Sequence, residues 1–321
     1  MERKHTDYTV GWICATAYEL TAARAMLDEE HMSLRYNPRD SNSYTLGRIA
    51  DHNVVIASLP PGYYGFTSSV VVVRDLLWSF PAIKFGLLVG IGGGVGSQTR
   101  DIRLGDVVVS MPTSTSGGVI QFDAGKIHPD GGFQLTGYLN EPPRVLLSAV
   151  SRLQADYMRK NPKFRHYISE TLMRNPLMGQ KFSSPGHDQD MLFKASYEHH
   201  TEAESDCSFC DRSHLIRRPP RDSQTPIVHY GSIASSNSVI WRATTRDKLS
   251  RQLGVLCIET EAAGLMDDFP CLVIRGIADY TDSHKNSKWQ CYAALAAAAY
   301  AKELLSVIPR NIKNDVTAAE V

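Results

Sequence analysis

Three acidic residues in "CIETEAAGLMDDFPCLVIRGIAD" (Cys257 to Asp279) stand where carboxylates can do chemistry. Glu259 and Glu261 flank Thr260 at the start of an expected small-residue helix, and Asp279 closes an apolar run that reads as a buried strand. An ionised carboxylate only accepts hydrogen bonds, which suits a vicinal diol such as that of a ribose. A strand-end carboxyl can instead donate a proton, provided burial or a like charge raises its pKa. Each has a plainer use. The glutamates could be helix N-terminal charge, and Asp279 a turn residue or a partner for Arg275. If the strand runs through Thr260, the glutamates point the same way; if a helix has begun, they diverge by roughly 200°.

"VGIGGGVG" (Val89 to Gly96) follows a buried run. Its glycines would let the backbone approach a ligand and turn amides toward an anion or a water, or simply form a tight turn. Neither G-x-G-x-x-G opening a helix nor G-x-x-x-x-G-K-[ST] is present. Arg242, His284 and Lys285 lie near these segments and fit either a phosphate site or a solvated basic loop. Cys207 and Cys210 form a C-x-x-C with His199, His200 and His214 nearby. That pattern fits zinc, a redox-labile pair or an inert exposed loop. Spacing does not supply four ligands, so no metal is assigned.

These residues need elements to hold them. Tyr8 to Ala15 reads as a strand, and Glu19 to Leu27 as a helix with Leu20, Ala23 and Leu27 on one face. "SYTLGRIADHNVVIASL" reads as a meander turning at "ADHN", and "GFTSSVVVVRDLLWSF" as a helix capped near Thr67 or Ser68 despite its β-branched run. "AIKFGLLVG" and "DVVVSMP" are strands, and residues 140–155 an amphipathic helix. "PIVHYGSIA" is a strand, and "TTRDKLSRQLG" a short helix ending at Gly254. "VLCIET" and "CLVIRGIAD" are strands, and "WQCYAALAAAAYAKELLSVI" is a long Ala-rich helix.

This alternation argues for an α/β sheet covered on both faces, with ligands at the carboxyl ends of strands. Residues 156–225, rich in Pro, His, Arg, Ser and Asp with weak periodicity, read as an irregular insertion in a single domain over 1–310. Residues 311–321 read as a flexible tail.

Composition narrows the partners. Lys plus Arg equals Asp plus Glu, at 34 each, so nothing favours nucleic acid or an acidic membrane. The N-terminus lacks an apolar signal core, and no apolar run approaches the ~18 residues of a membrane span. Six cysteines are too sparse for a disulfide framework. Cys14, Cys257, Cys271 and Cys291 read as reduced core thiols, and the expected location is cytoplasmic.

Together the segments resemble the nucleoside phosphorylase and nucleosidase superfamily, which includes purine nucleoside phosphorylase, uridine phosphorylase and methylthioadenosine/adenosylhomocysteine nucleosidase. "GWICATAYELTAA" looks like the family's first strand and loop, and "VGIGGGVGSQTRDIRLGDVVVS" like its glycine loop. "GSIASSNSVI" is similar to the base-binding loop, "IETEAAGL" to E-M-E-A-A, and "VIRGIAD" to R-x-I-S-D. The order and spacing of these five segments carry the resemblance, over nearly the whole chain outside the insertion. "ADYTDSHKNSKWQCYAALAAAAYAKELL" is similar to the fungal branch, in which the domain sits at the N-terminus of larger NLR-like immune receptors.

The resemblance implies a three-layer α/β/α sandwich with a central mixed sheet, nucleoside phosphorylase-like. It implies cleavage of the N-glycosidic bond of a purine nucleoside or nucleotide, a small-molecule partner, no cofactor, and a homo-oligomer. Glu261, beside Thr260, would bind the ribose hydroxyls, and Asp279 would protonate the purine N7. Glu19 would position the attacking water. Val239 and Ile240, with Ser235, would form the base pocket, and Gly92 and Gly93 would approach the nucleophile and the ribose.

Two positions depart from the pattern. Thr260 stands where methionine is usual, and Leu88 stands where the phosphorylases carry a phosphate-binding arginine. The second favours water as nucleophile. If Arg100, Arg103 or a neighbouring subunit's arginine substituted, inorganic phosphate would be a co-substrate. Defence-associated members of the superfamily include nucleosidases that act on ATP, which with the nearby cations extends the adenosine-type substrates to AMP or ATP. A domain that senses a nucleoside without turnover is the alternative of another class, and Thr260 keeps it open.

Overall fold

Apolar strand-forming runs alternate with helical ones, and the computed structural model follows that alternation over residues 3–35, 37–96, 100–127, 133–199, 207–221 and 225–310. The tail expected over 311–321 lies outside the described residues, as does His200. Strand β1 (Val10–Cys14) is buried along its whole length. Helix α1 (Ala17–Ala25) starts on a capping box: the Thr16 hydroxyl accepts the Glu19 amide, and the Glu19 carboxylate accepts the Thr16 amide at 2.9 Å. Short β2 (Glu29–Glu30) precedes the meander of β3 (Tyr44–Ile49) and β4 (His52–Ser58), which turns at Ala50, at φ +50°.

Helix α2 (Phe66–Ser79) begins earlier than expected, and its cap is Gly65 at φ +84° rather than Thr67 or Ser68. Its first amides find distant acceptors. Asn237 Oδ1 takes the Phe66 amide at 3.2 Å, and Glu261 Oε1 takes the Gly65 amide at 3.5 Å. Strand β5 (Phe85–Gly94) and strand β6 (Val107–Ser110) follow, then three short strands: β7 (Val119–Gln121), β8 (Gly125–Ile127) and β9 (Phe133–Leu135).

After α3 (Arg144–Tyr157), the stretch expected to be irregular carries two helices, α4 (Phe164–Arg174) and α5 (Pro176–Phe182). The buried face of α4 is only Phe164, Ile168 and Thr171. So thin an apolar stripe is hard to see in a polar sequence, and tertiary contacts supply the rest. Glu303 accepts the amides of Lys163 and Phe164 at 3.0 and 2.8 Å, a cap reaching α4 from 139 residues away. Such a cap contributes ~1 kcal/mol.

The chain then forms β10 (Val228–Gly231), β11 (Ile233–Ser235), α6 (Ala243–Leu253), β12 (Cys257–Glu259), β13 (Cys271–Asp279) and α7 (Gln290–Val307). Gly254 ends α6 at φ +68°, as its position predicts. The expected helix after Glu261 is a single 3-10 turn, Ala262–Gly264.

Among the described residues one sheet holds eleven strands, in the order β10-β6-β13-β5-β1-β4-β3-β2. It is mixed: β13 runs parallel to β5 and antiparallel to β6. At Gly93 and Gly94 the sheet branches, because β12 pairs there antiparallel to β5 and leads on to β11 and β7. Helix α7 is buried from Tyr292 to Leu305, and a helix apolar all round belongs inside. It packs on β13 and β5 and gathers α1, α3, α4 and α5 around it. Helix α2 packs against β4 and the 3-10 turn. The result is a three-layer α/β/α arrangement around a mixed sheet. Among the described residues, no helix is long and apolar enough to cross a membrane.

Candidate active site

The ends of β1, β5 and β13 and the turn after β12 enclose a cavity of about 520 Å³. Four carboxylates line it, Glu19, Glu259, Glu261 and Asp279, together with Gly92 and Gly93. That volume suits a small organic ligand.

Glu19 is buried, and its capping role fixes it. Oε2 accepts the amides of Ala15 at 2.7 Å and Thr16 at 2.9 Å, and Oε1 accepts the Ile91 amide at 2.8 Å. A carboxylate has about four acceptor sites, so one lone pair remains for a ligand. Burial pushes the Glu19 pKa up, against the opposing pull of Arg275 and the amides.

Glu259 and Glu261 converge rather than diverge. Arg275, itself buried, bonds Glu259 through Nη2, and the same nitrogen reaches Glu261 Oε2 at 3.2 Å. Arg275 is therefore the partner of the glutamate pair and not of Asp279. Glu259 also accepts the amides of Glu261 and Ala262 at 3.1 and 3.0 Å, so it braces the turn that carries Glu261. Burial raises the pKa of Glu259 while Arg275 opposes it. The Thr260 hydroxyl lies 2.6 Å from Glu261 Oε1 and donates to it.

The glycines make room for side chains. A Cβ on Gly90 would lie 2.5 Å from Glu19 Oε1 and 2.6 Å from Arg275 Nη1. One on Gly93 would collide with Thr281 Oγ1 and sit 2.8 Å from Asp279 Oδ1. The glycine run is thus what lets the carboxylates reach the strand ends.

Asp279 Oδ1 accepts the Thr281 amide at 2.7 Å, while Oδ2 faces Lys285 Nζ at 3.5 Å. Thr281 holds φ +52°, and its buried Oγ1 has no hydrogen-bond partner among the described residues although the residue lines the cavity. A non-glycine residue held this way stores strain at a site over-determined by its surroundings. Next along, burial pushes the Asp282 pKa up to about 6, against the pull of Arg246.

Val239, Ile240 and Thr260 line the cavity as the resemblance implied, but Ser235 does not. Its buried hydroxyl accepts the Ala263 amide at 3.0 Å, because β11 packs beside β12 and aims that side chain at the 3-10 turn. Of the candidate cations, Lys285 alone is among the lining residues. Arg100 bonds the carbonyls of Gly254 and Val255, Arg103 pairs with Asp101, and the His284 ring stacks on Phe193 at 4.1 Å. Leu88 is buried in β5.

Sequence reasoning missed Tyr18, Tyr64 and Trp241 at the cavity, and Arg275 as its clamp. The Lys285 ammonium lies 5.6 Å from the centre of the Trp241 ring. Trp241 adjoins Ile240 and could have been found as an aromatic beside a strand-end loop.

Comparison with known proteins fits this geometry. No protein-family model matches the chain. A nucleotide-binding leucine-rich repeat (NLR)-like protein of Hyaloscypha variabilis is 46% identical over 309 residues, 96% of this chain and 30% of that protein. A 5'-methylthioadenosine/S-adenosylhomocysteine nucleosidase of Mycobacterium bovis is 27% identical over 89 residues, 26% of this chain and 35% of that one. The chain thus spans about a third of the length of these curated relatives.

Among solved structures, futalosine hydrolase of Helicobacter pylori superposes with a TM-score of 0.57 at 14% identity, covering 94% of this chain and 99% of its own. The 5'-methylthioadenosine/S-adenosylhomocysteine nucleosidase of the same organism gives 0.58 at 14% identity, covering 93% and 98%. The chain shares its α/β fold with this futalosine hydrolase and this nucleosidase.

Proposed function

We propose that the cavity cleaves the N-glycosidic bond of a purine nucleoside or nucleotide by hydrolysis and releases the free base. What supports this reading above all is the convergence of Glu19, Glu261 and Asp279 on one cavity, with the two glutamates oriented from behind. Glu261 would accept from the ribose diol. Because Thr260 already donates to Oε1, its own oxygen lone pairs can accept a ribose hydroxyl, extending the diol site by one atom. Asp279 would deliver a proton to the leaving base from Oδ2, since Oδ1 is tied to the Thr281 amide. As the bond breaks, positive charge develops on the sugar, and the surrounding carboxylates stabilise it. The one acceptor site left on Glu19 suits a water aimed at that carbon.

Val239, Ile240 and Trp241 offer an apolar and aromatic face for the base. Lys285, the cation among the lining residues, suits an anionic 5′ group and extends the substrates to AMP and ATP. No arginine is among the lining residues described, which favours water over phosphate as nucleophile.

The test incubates the protein with adenosine, inosine, methylthioadenosine, AMP and ATP, with and without inorganic phosphate, and follows free base by chromatography. Base released without phosphate is the expected result. Release only with phosphate makes the protein a phosphorylase. Binding without release at any enzyme concentration makes it a sensing domain.

A further inference from the structure

We propose that His199, Cys207 and Cys210 form a zinc site that clips the segment after α5 onto the loop leaving β13. This rests on side chains outside the cavity and is independent of the glycosidase reading. One ligand atom from each residue lies within 4.8 Å of the other two. Tetrahedral zinc with bonds of ~2.0–2.3 Å holds its donors ~3.7 Å apart. The cluster therefore needs to close by at most about 1 Å to take the ion, a rotamer-scale adjustment.

The backbone is already shaped for it. The Cys210 amide donates to the Cys207 carbonyl at 3.2 Å, a turn that aims both thiols to one side. The His199 amide donates to Ser283 Oγ at 2.9 Å, which sets that backbone against the loop leaving β13. Cys207 is 3% exposed, and its Sγ lies 3.7 Å from the His284 carbonyl. Around the cluster the His284 ring stacks on Phe193, and Tyr197 stacks on His214 at 4.3 Å.

Two thiolates and an imidazole are borderline-soft donors, a set that suits zinc over magnesium or calcium. On binding, both thiols release their protons to solvent and the imidazole binds in its neutral form. The three donors leave one corner of the tetrahedron for water. The clip bears on the cavity through chain connectivity. Ser283 and His284 immediately precede Lys285, which lines the cavity and faces Asp279.

The test measures zinc in the full chain purified without chelator, by elemental mass spectrometry, and then loads Co2+ as a spectroscopic probe. The proposal expects about one zinc per chain and a thiolate-to-cobalt charge-transfer band. Cys210→Ser and His199→Gln should weaken zinc binding by at least ~100-fold, more than loss of a supporting partner costs. Cys291→Ser, away from the cluster, should bind like the parent. Cys210 and His199 are only partly buried, so those variants should keep their circular dichroism. Three results overturn the proposal: no zinc at equilibrium with micromolar Zn2+, unchanged zinc in Cys210→Ser, or a Cys207–Cys210 disulfide in protein prepared without oxidant.

Discussion

Two ion clusters in this protein both join carboxylates to guanidiniums and do opposite things. The first gathers Glu19, Glu259 and Glu261 around one guanidinium, that of Arg275. The second gathers Asp101 and Asp106 around Arg103, Arg221 and His229. In the second, two guanidiniums balance two carboxylates, and His229 adds a further hydrogen bond. Asp106 accepts from both Arg221 terminal nitrogens, from His229 and from the amides of Arg103 and Ile227. Burial alone would raise the Asp106 pKa, but His229 and Arg221 carry it below its usual value. In the first cluster carboxylates outnumber cations, and burial wins: Glu19 and Glu259 are both pushed up. The balanced cluster closes on itself and fastens Arg221, beyond α5, to the sheet. The unbalanced one opens on a cavity. An excess of buried charge of one sign is a cost that stability alone does not explain.

The comparison can be broken at its cations. Arg275→Ala strips the shared guanidinium from three buried carboxylates and should cost ~3–5 kcal/mol of stability, read by urea unfolding. Arg221→Ala leaves His229 on Asp106 and should cost less, about 1.5–3 kcal/mol, with turnover per folded molecule unchanged. Equal losses would show that charge balance does not separate the clusters.

The open cluster's chemistry is tested at its acid. Asp279→Asn should lower base release by at least ~100-fold, with thermal unfolding close to the parent. Near-parental turnover would remove Asp279 from the proton-transfer role.

Acidity should split the first cluster, together with Asp282 near the cavity, from the second by sign. Glu19, Glu259 and Asp282 have raised pKa values, so the folded state gains stability as pH falls from neutral, for Asp282 through about 6. Asp101 and Asp106 have lowered values, so their contribution is present above the usual 3.8 and is lost as pH falls below it. The melting temperature should rise from pH 7 to about 5 and fall below about 4. Asp282→Asn should shrink the rise, and a profile that declines steadily from pH 7 would contradict it.

The smallest effect concerns Thr260. Thr260→Val removes the donor to Glu261 and should raise KM about tenfold with little change in kcat. An unchanged KM would leave this hydroxyl outside the ribose site.

Glu261 and Asp279 were legible because they follow apolar runs, and strand ends are where open α/β sheets place their ligands. Glu19 was visible as a residue at a helix start, but not that its oxygens are held by an amide from β5. Ser235 was expected at the cavity because it belongs to the same short segment as Asn237 to Trp241, which line it, but its own side chain faces the 3-10 turn. The caps followed the same divide. Thr16 caps α1 from within its own turn and could be read locally. Gly65 and Glu303 serve α2 and α4 through partners up to 196 residues away.

The sequence by itself determined the alternation of strands and helices, the apolar faces that make them stack, and the chemical types of the groups at the strand ends. These follow from periodicity and propensity, which act over a few residues. Tertiary structure alone decided that Glu259 and Glu261 share Arg275, that Gly90 and Gly93 serve as gaps for neighbouring side chains, and that Lys285 rather than Arg242 faces the acid. Those outcomes depend on distances between atoms far apart in the chain, which exist only once the sheet has formed.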